Sequence, residues 1–98
     1  MWSLRLVTRV SPDKRLEFVQ ATQSLLQQER PRLCRSLVMQ DMEDRSRFCL
    51  MADGDDPEEL DAFLDSPTFH ALKGAAEVLG TVEELKILRE ETRQEPLP

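Results

Sequence analysis

Tyrosine and asparagine are absent from the 98 residues, and histidine and tryptophan occur once each, as His70 and Trp2. These gaps narrow the chemistry. One histidine and two cysteines without a Cys-x-x-Cys spacing are too few ligands for a structural zinc site, so no metal is expected. No run approaches the ~18 consecutive apolar residues of a membrane span. The opening stretch MWSLRLVTRV carries arginines within its apolar run and lacks a small-residue cleavage site, so no signal peptide is expected. No membrane partner and a cytoplasmic location are the resulting expectations. Basic charge is scarce too: the net charge is −6, without the basic footprint of a nucleic-acid binder.

Two cysteines do not make a framework. Cys34 and Cys49 fall on consecutive strands about a turn near Glu43-Asp44. Pairing about that centre sets Cys34 opposite position 53 and Cys49 opposite position 38. At ~3.4 Å per residue the sulfurs are more than ~10 Å apart, beyond disulfide reach. Two unpaired thiols suit a reducing compartment.

What is present fits one α+β domain over residues 1–90, with 91–98 a charged, proline-containing, disordered tail. Hydrophobic residues make up 40% and charged residues 33%, a lean core for a small chain and a reason to expect apolar surface buried on a partner. Residues 2–10 alternate as a strand, with Trp2, Leu4, Leu6, Thr8 and Val10 on one face and Ser3, Arg5, Val7 and Arg9 on the other. Ser11-Pro12 is expected to cap a helix over 12–29 whose stripe is Phe18, Ala21, Thr22, Leu25 and Leu26. Strands follow at 32–40 and 46–52 around a polar turn at 41–45, and Asp53-Gly54-Asp55 breaks the third strand.

The next stretch, DDPEELDAFLDSPTFHALKGAAEVLG, holds two helix starts in succession. Asp56-Pro57 with Glu59 makes one capping box, Ser66-Pro67 opens the second helix, and Gly80 stops it. Leu60, Phe63 and Leu64 form one apolar stripe and Phe69, Leu72, Ala76 and Leu79 another. A last strand spans 81–89. The order strand, helix, strand, strand, split helix, strand predicts a four-stranded antiparallel sheet with helices on one face, the ferredoxin-like arrangement. The pattern leaves open which face meets the helices. The other face is half apolar and predicts a homodimer packed sheet to sheet.

SPDKRLEFVQATQSLL, the QDMED turn and EELDAFLDSPTFHALKGA together resemble the antibiotic biosynthesis monooxygenase superfamily, small dimeric α+β barrels. The likeness covers nearly the whole chain, roughly from Leu4 to Arg89, with Leu60, Leu64, Ser66 and Phe69 at matching positions. It implies the fold and the dimer. It also implies cofactor-independent oxidation of a small aromatic or quinol substrate in a pocket between sheet and helices. In members with that activity the pocket is lined by Asn, Trp, Tyr, His or Arg. Here the family's frequent Trp after the third strand falls at Gly54, and the His that often precedes the second Leu of the short helix falls at Phe63. The axial His of haem-degrading relatives falls at Lys73.

Two functions follow. The first is a cofactor-independent monooxygenase, with His70 as candidate proton acceptor and Trp2, Arg35, Phe48, Phe63 and Phe69 as candidate pocket residues. The second is a non-catalytic homodimer on the same scaffold, binding a small ligand or offering an interaction surface. Each candidate has a plainer reading. His70 lies ~100° around its helix from Phe69 and suits a solvent-facing position. Trp2 and Phe48 suit packing as well as stacking. Cys34 and Cys49 suit inert thiols. Arg5, Arg9 and Arg35 bind an anion or pair with Asp41 or Glu84. The acidic run from Asp53 to Glu59 suits a helix start better than a calcium loop.

Overall fold

A computed structural model describes residues 1–28 and 33–91. The expected helix end at Arg30-Pro31, the strand start at Arg32 and the tail from position 92 onward lie outside them, and Leu33 and Cys34, expected within the second strand, precede it. Strands β1 (Trp2–Val10), β2 (Arg35–Gln40), β3 (Arg47–Gly54) and β4 (Gly80–Arg89) form one antiparallel sheet in the order β2-β3-β1-β4. Helices α1 (Arg15–Gln28), α2 (Pro57–Leu64) and α3 (Pro67–Leu79) cover one face of it.

Burial settles which face. Leu4, Leu6 and Val10 of β1 and Phe48, Leu50 and Ala52 of β3 are buried in one cluster with Phe18, Leu26, Leu60, Phe63, Phe69, Leu72 and Ala76 of the helices. Register agrees: Leu4 faces Ala52, Leu6 faces Leu50 and Thr8 faces Phe48, so both strands turn these side chains the same way. The opposite, helix-free face carries Ser3, Arg5, Val7 and Arg9 beside Asp53, Met51, Cys49 and Arg47.

Local chemistry explains the helix starts. Asp56 Oδ1 accepts from the Glu59 N–H at 2.9 Å, and Glu59 Oε2 accepts in return from the Asp55 N–H at 3.0 Å. Ser66 works in both directions. Its hydroxyl accepts from the Phe69 N–H at 3.1 Å and donates to the Phe63 carbonyl at 2.6 Å, joining the end of α2 to the start of α3. Ser11 differs from expectation. Its hydroxyl donates to Asp13 instead of capping, and a single 3-10 turn over Pro12–Lys14 precedes α1, closed by the Lys14 N–H on the Ser11 carbonyl.

Three other departures trace to pairing between strands. Asp53 and Gly54 were expected to break β3, yet they pair with Ser3 and Trp2 and prolong it. The β2–β3 register sets Arg35 against Asp53 and Met39 against Cys49, one residue from the expected alignment. Cys34 and Cys49 are both free thiols. In β4 the register slips between Val7 and Thr8, so that Val7 meets Glu84 and Thr8 meets Val82. Glu83 is the extra residue of that bulge.

Candidate functional site

Rings occupy the space between α2, α3 and the sheet, while a cleft of about 290 Å³ opens between α1 and β2, lined by Gln23, Leu26, Gln27, Ser36, Leu37 and Val38. Phe63 and Phe69, 2% and 4% exposed, meet edge to face with centroids 5.5 Å apart. Phe18 and Phe48 meet at 5.4 Å with a 50° tilt. Rings at this spacing pack closely and exclude water. Trp2 lies half-buried at the rim of the same side, and the Arg89 guanidinium stands 5.7 Å from its ring centroid. His70 projects from α3 as an exposed residue, and Arg35 is exposed on the helix-free face. The structure therefore gathers Phe63 with Phe69 and Phe48 with Phe18. It keeps Trp2 at the rim and sets His70 and Arg35 apart from all of them.

The thiols are not activated. A hydrogen bond to Asp55 raises the Cys34 thiol above its ordinary range, and burial raises that of Cys49. A thiol pushed upward is a poor nucleophile at neutral pH. Among the described residues no group of three or more His, Cys, Asp or Glu side chains converges as a metal site would require. No helix among them is long and apolar enough to cross a membrane.

Polar chemistry concentrates on the helix-free face, at two places. At the end near the turn, Arg9 donates to Asp44 at 2.9 Å, to Ser46 at 2.7 Å and to Glu83 at 3.1 Å. Arg47 reaches the other Glu83 oxygen at 2.9 Å and Asp41 at 3.7 Å. The bulge in β4 is what brings Glu83 within reach of both arginines. Arg9 thus takes Asp44 and Glu83, in place of the Asp41 or Glu84 expected from sequence, while Glu84 is held by Lys86 at 2.8 Å.

This network carries a pH signature. The Ser46 hydroxyl foremost, then the Arg9 guanidinium and the Ser46 N–H, hold the Asp44 carboxyl at about 2, below its ordinary 3.8. The same arginines lower Glu83, with the Arg9 hydrogen bond the largest cause. For a carboxyl lowered in the folded state, the stabilisation is complete above the unfolded value and is lost as pH falls through the folded one. Asp44→Asn should therefore flatten the fall in urea midpoint between about pH 4 and pH 2 relative to the unaltered chain. An identical fall in both proteins would exclude Asp44 as a source of acid sensitivity.

The second place lies at the opposite end of β1 and β3. A cleft of about 340 Å³ opens there, lined by Ser3, Arg5, Met51, Asp53 and Leu88 among others. Arg5 also lines a neighbouring cleft of about 290 Å³ with Val7, Met39 and Cys49. Ser3 Oγ, Arg5 Nε and Asp53 Oδ1 are all buried and none has a hydrogen-bond partner. Asp53 is only 8% exposed. An unpaired buried donor or acceptor costs about 1–3 kcal/mol, and more for a charged group. Sequence reasoning named Arg5 but missed Ser3 and Asp53, because Asp53 reads as a strand breaker until its pairing with Ser3 is known.

Neither a protein-family model nor a curated protein sequence matches the chain. Solved structures do match. A candidate antibiotic biosynthesis monooxygenase from Deinococcus radiodurans gives a TM-score of 0.79 at 19% identity, over 100% of this chain and 99% of that one. A conserved protein from Methanosarcina mazei Go1 gives 0.80 at 20% identity over 92% of each chain. A further antibiotic biosynthesis monooxygenase gives 0.75 at 14% identity, over 96% of this chain and 100% of that one. The chain has the fold of these structures, as its resemblance implied.

Proposed function

We propose that the chain is a non-catalytic homodimer on the antibiotic biosynthesis monooxygenase scaffold, and that its working surface is the helix-free face of the sheet. The ring-filled space between α2, α3 and the sheet carries this reading. Phe63 and Phe69 occupy the space where substrate would sit, and His70, the one histidine, stands exposed outside it. General acid–base work needs a proton acceptor within about 3 Å of the reacting atom, directly or through one water.

The helix-free face supports the dimer. Val7, Leu37, Met39, Met51 and Leu88 share it, with Met39 40% and Leu88 38% exposed, between polar atoms that lack partners. A second copy placed sheet to sheet would cover both kinds of surface.

The second reading, cofactor-independent oxidation of a small aromatic or quinol, is favoured by the names of two structures that share the fold. Oxygen uptake separates the two. Purified protein supplied with hydroquinones and with hydroxylated naphthalenes should consume oxygen no faster than the same mixtures with heat-denatured protein. Uptake that scales with folded protein and falls in Trp2→Ala or His70→Ala would establish the oxygenase and overturn the non-catalytic reading.

A further inference from the structure

Arg5 and Asp53 carry opposite charges on neighbouring strands of the helix-free face, and each keeps a buried polar atom without a partner. Arg5 pairs in register with Met51, and Asp53 with Ser3, so the two are diagonal neighbours about 7–8 Å apart. Among the described residues neither takes part in an ion pair. The charges directly across the ladder do not relieve them. Lys86, directly across from Arg5 on β4, is held by Glu84, and Arg35, across from Asp53 on β2, is exposed to water. Arg5 Nε and Asp53 Oδ1, buried without partners, are unfavourable, and a guanidinium donor and a carboxylate acceptor are each the group the other can satisfy.

We propose that Arg5 of each protomer pairs with Asp53 of the other across the sheet-to-sheet interface, two identical ion pairs set astride the two-fold axis. This rests on the homodimer proposed above. In an isologous interface, a contact from one residue to a second is repeated from the second to the first. A donor and an acceptor that are diagonal neighbours on one sheet therefore become two reciprocal pairs when the axis runs between them. The apolar side chains around them, Val7, Met51 and Leu88, would seal the pairs from solvent. Being buried, these pairs set the register of the two sheets, because a slip of either sheet would leave four charged groups unpaired. Ser3, opposite Asp53, would supply a hydroxyl to the carboxylate oxygen that the guanidinium leaves free.

Mixing charge-reversed chains tests this. Arg5→Asp gives a chain with carboxylates at both positions, and Asp53→Arg gives one with guanidiniums at both. Each alone should dimerise about 100-fold more weakly than the unaltered chain in sedimentation equilibrium. An equimolar mixture of the two should recover the dimer, since both cross-pairs of the mixed dimer are then of opposite charge. Recovery in the double variant carrying both reversals, without recovery in the mixture, would place the pair within one chain and overturn the inference. Dimers unaffected by either reversal would also overturn it, while leaving the homodimer standing. An unaltered chain that sediments as a folded monomer would remove the homodimer itself. If a reversed chain fails to fold by far-ultraviolet circular dichroism, the neutral variants Arg5→Gln and Asp53→Asn replace it. Each should then weaken dimerisation, the double variant no more than the stronger single one. Additive losses would overturn the pairing.

Discussion

Truncating Phe63 to alanine is expected to cost about 3–5 kcal/mol of folding stability, and Phe69→Ala the same. Each ring is almost wholly withdrawn from water, and each is the other's edge-to-face partner. Removing one therefore forfeits its transfer free energy, leaves a cavity between α2, α3 and the sheet, and costs the survivor an aromatic contact of about 0.5–1.5 kcal/mol. Because the two share that contact, the double truncation should cost less than the sum of the singles. Small domains hold only about 5–15 kcal/mol in total, so either variant should melt at a far lower urea concentration. A loss under about 1 kcal/mol would show that the rings do not fill the interior. The space would then be available to a ligand.

Gly80→Ala should cost about 1–3 kcal/mol, for a different reason. Gly80 ends α3 and begins β4 with an extended backbone, φ −159° and ψ −154°, so no unusual dihedral angle demands glycine. Space does. A Cβ built there falls well inside contact with the Arg9 carbonyl oxygen, and lies 3.1 Å from the methyl groups of both Thr8 and Val10. The carbonyl is backbone in β1, which pairs with Gly80 through Val10, so relief requires the two strands to part where α3 hands the chain to the sheet. Equilibrium unfolding in urea checks it. A neutral substitution would mean that this end of β4 yields easily. Gly74 is the internal control, since a Cβ there meets nothing within 4 Å. Gly74→Ala should be neutral or stabilising by up to about 1 kcal/mol, as alanine replaces glycine within a helix.

The fold was legible where one short-range rule governs. Alternation in β1 and the paired starts at Asp56-Pro57 and Ser66-Pro67 are local facts, and the chain obeys them. What depended on neighbours in space was not legible. Both faces of β1 carry apolar residues, so only packing against the helices could choose Leu4 and Leu6 over Val7. Ser11 has the residue type of a helix cap, but Asp13, two positions on, takes its hydroxyl. The bulge at Glu83 leaves no mark in the run of acidic residues around it, yet it decides which carboxylate Arg9 and Arg47 find.

The site followed the same division. Phe63 and Phe69 were recognisable as an apolar stripe, and whether such a stripe lines a pocket or fills one depends on the opposing surface. Arg5 was recognisable as a cation on a face of uncertain orientation. Its diagonal relation to Asp53 required the β1–β3 register, and an Asp-Gly-Asp sequence argued against any strand there. The residues that distinguish this chain are therefore those whose meaning is set by strand pairing.

Sedimentation equilibrium of the unaltered chain at micromolar concentration, beside a Met39→Lys variant, tests the central claim most directly. Met39 lies on the helix-free face outside the core cluster, so a lysine there should spare folding while placing a charge in the proposed interface. The account predicts twice the 11.3 kDa chain mass for the unaltered protein and the single-chain mass for the variant. A single-chain mass for both, with folding intact, would contradict it.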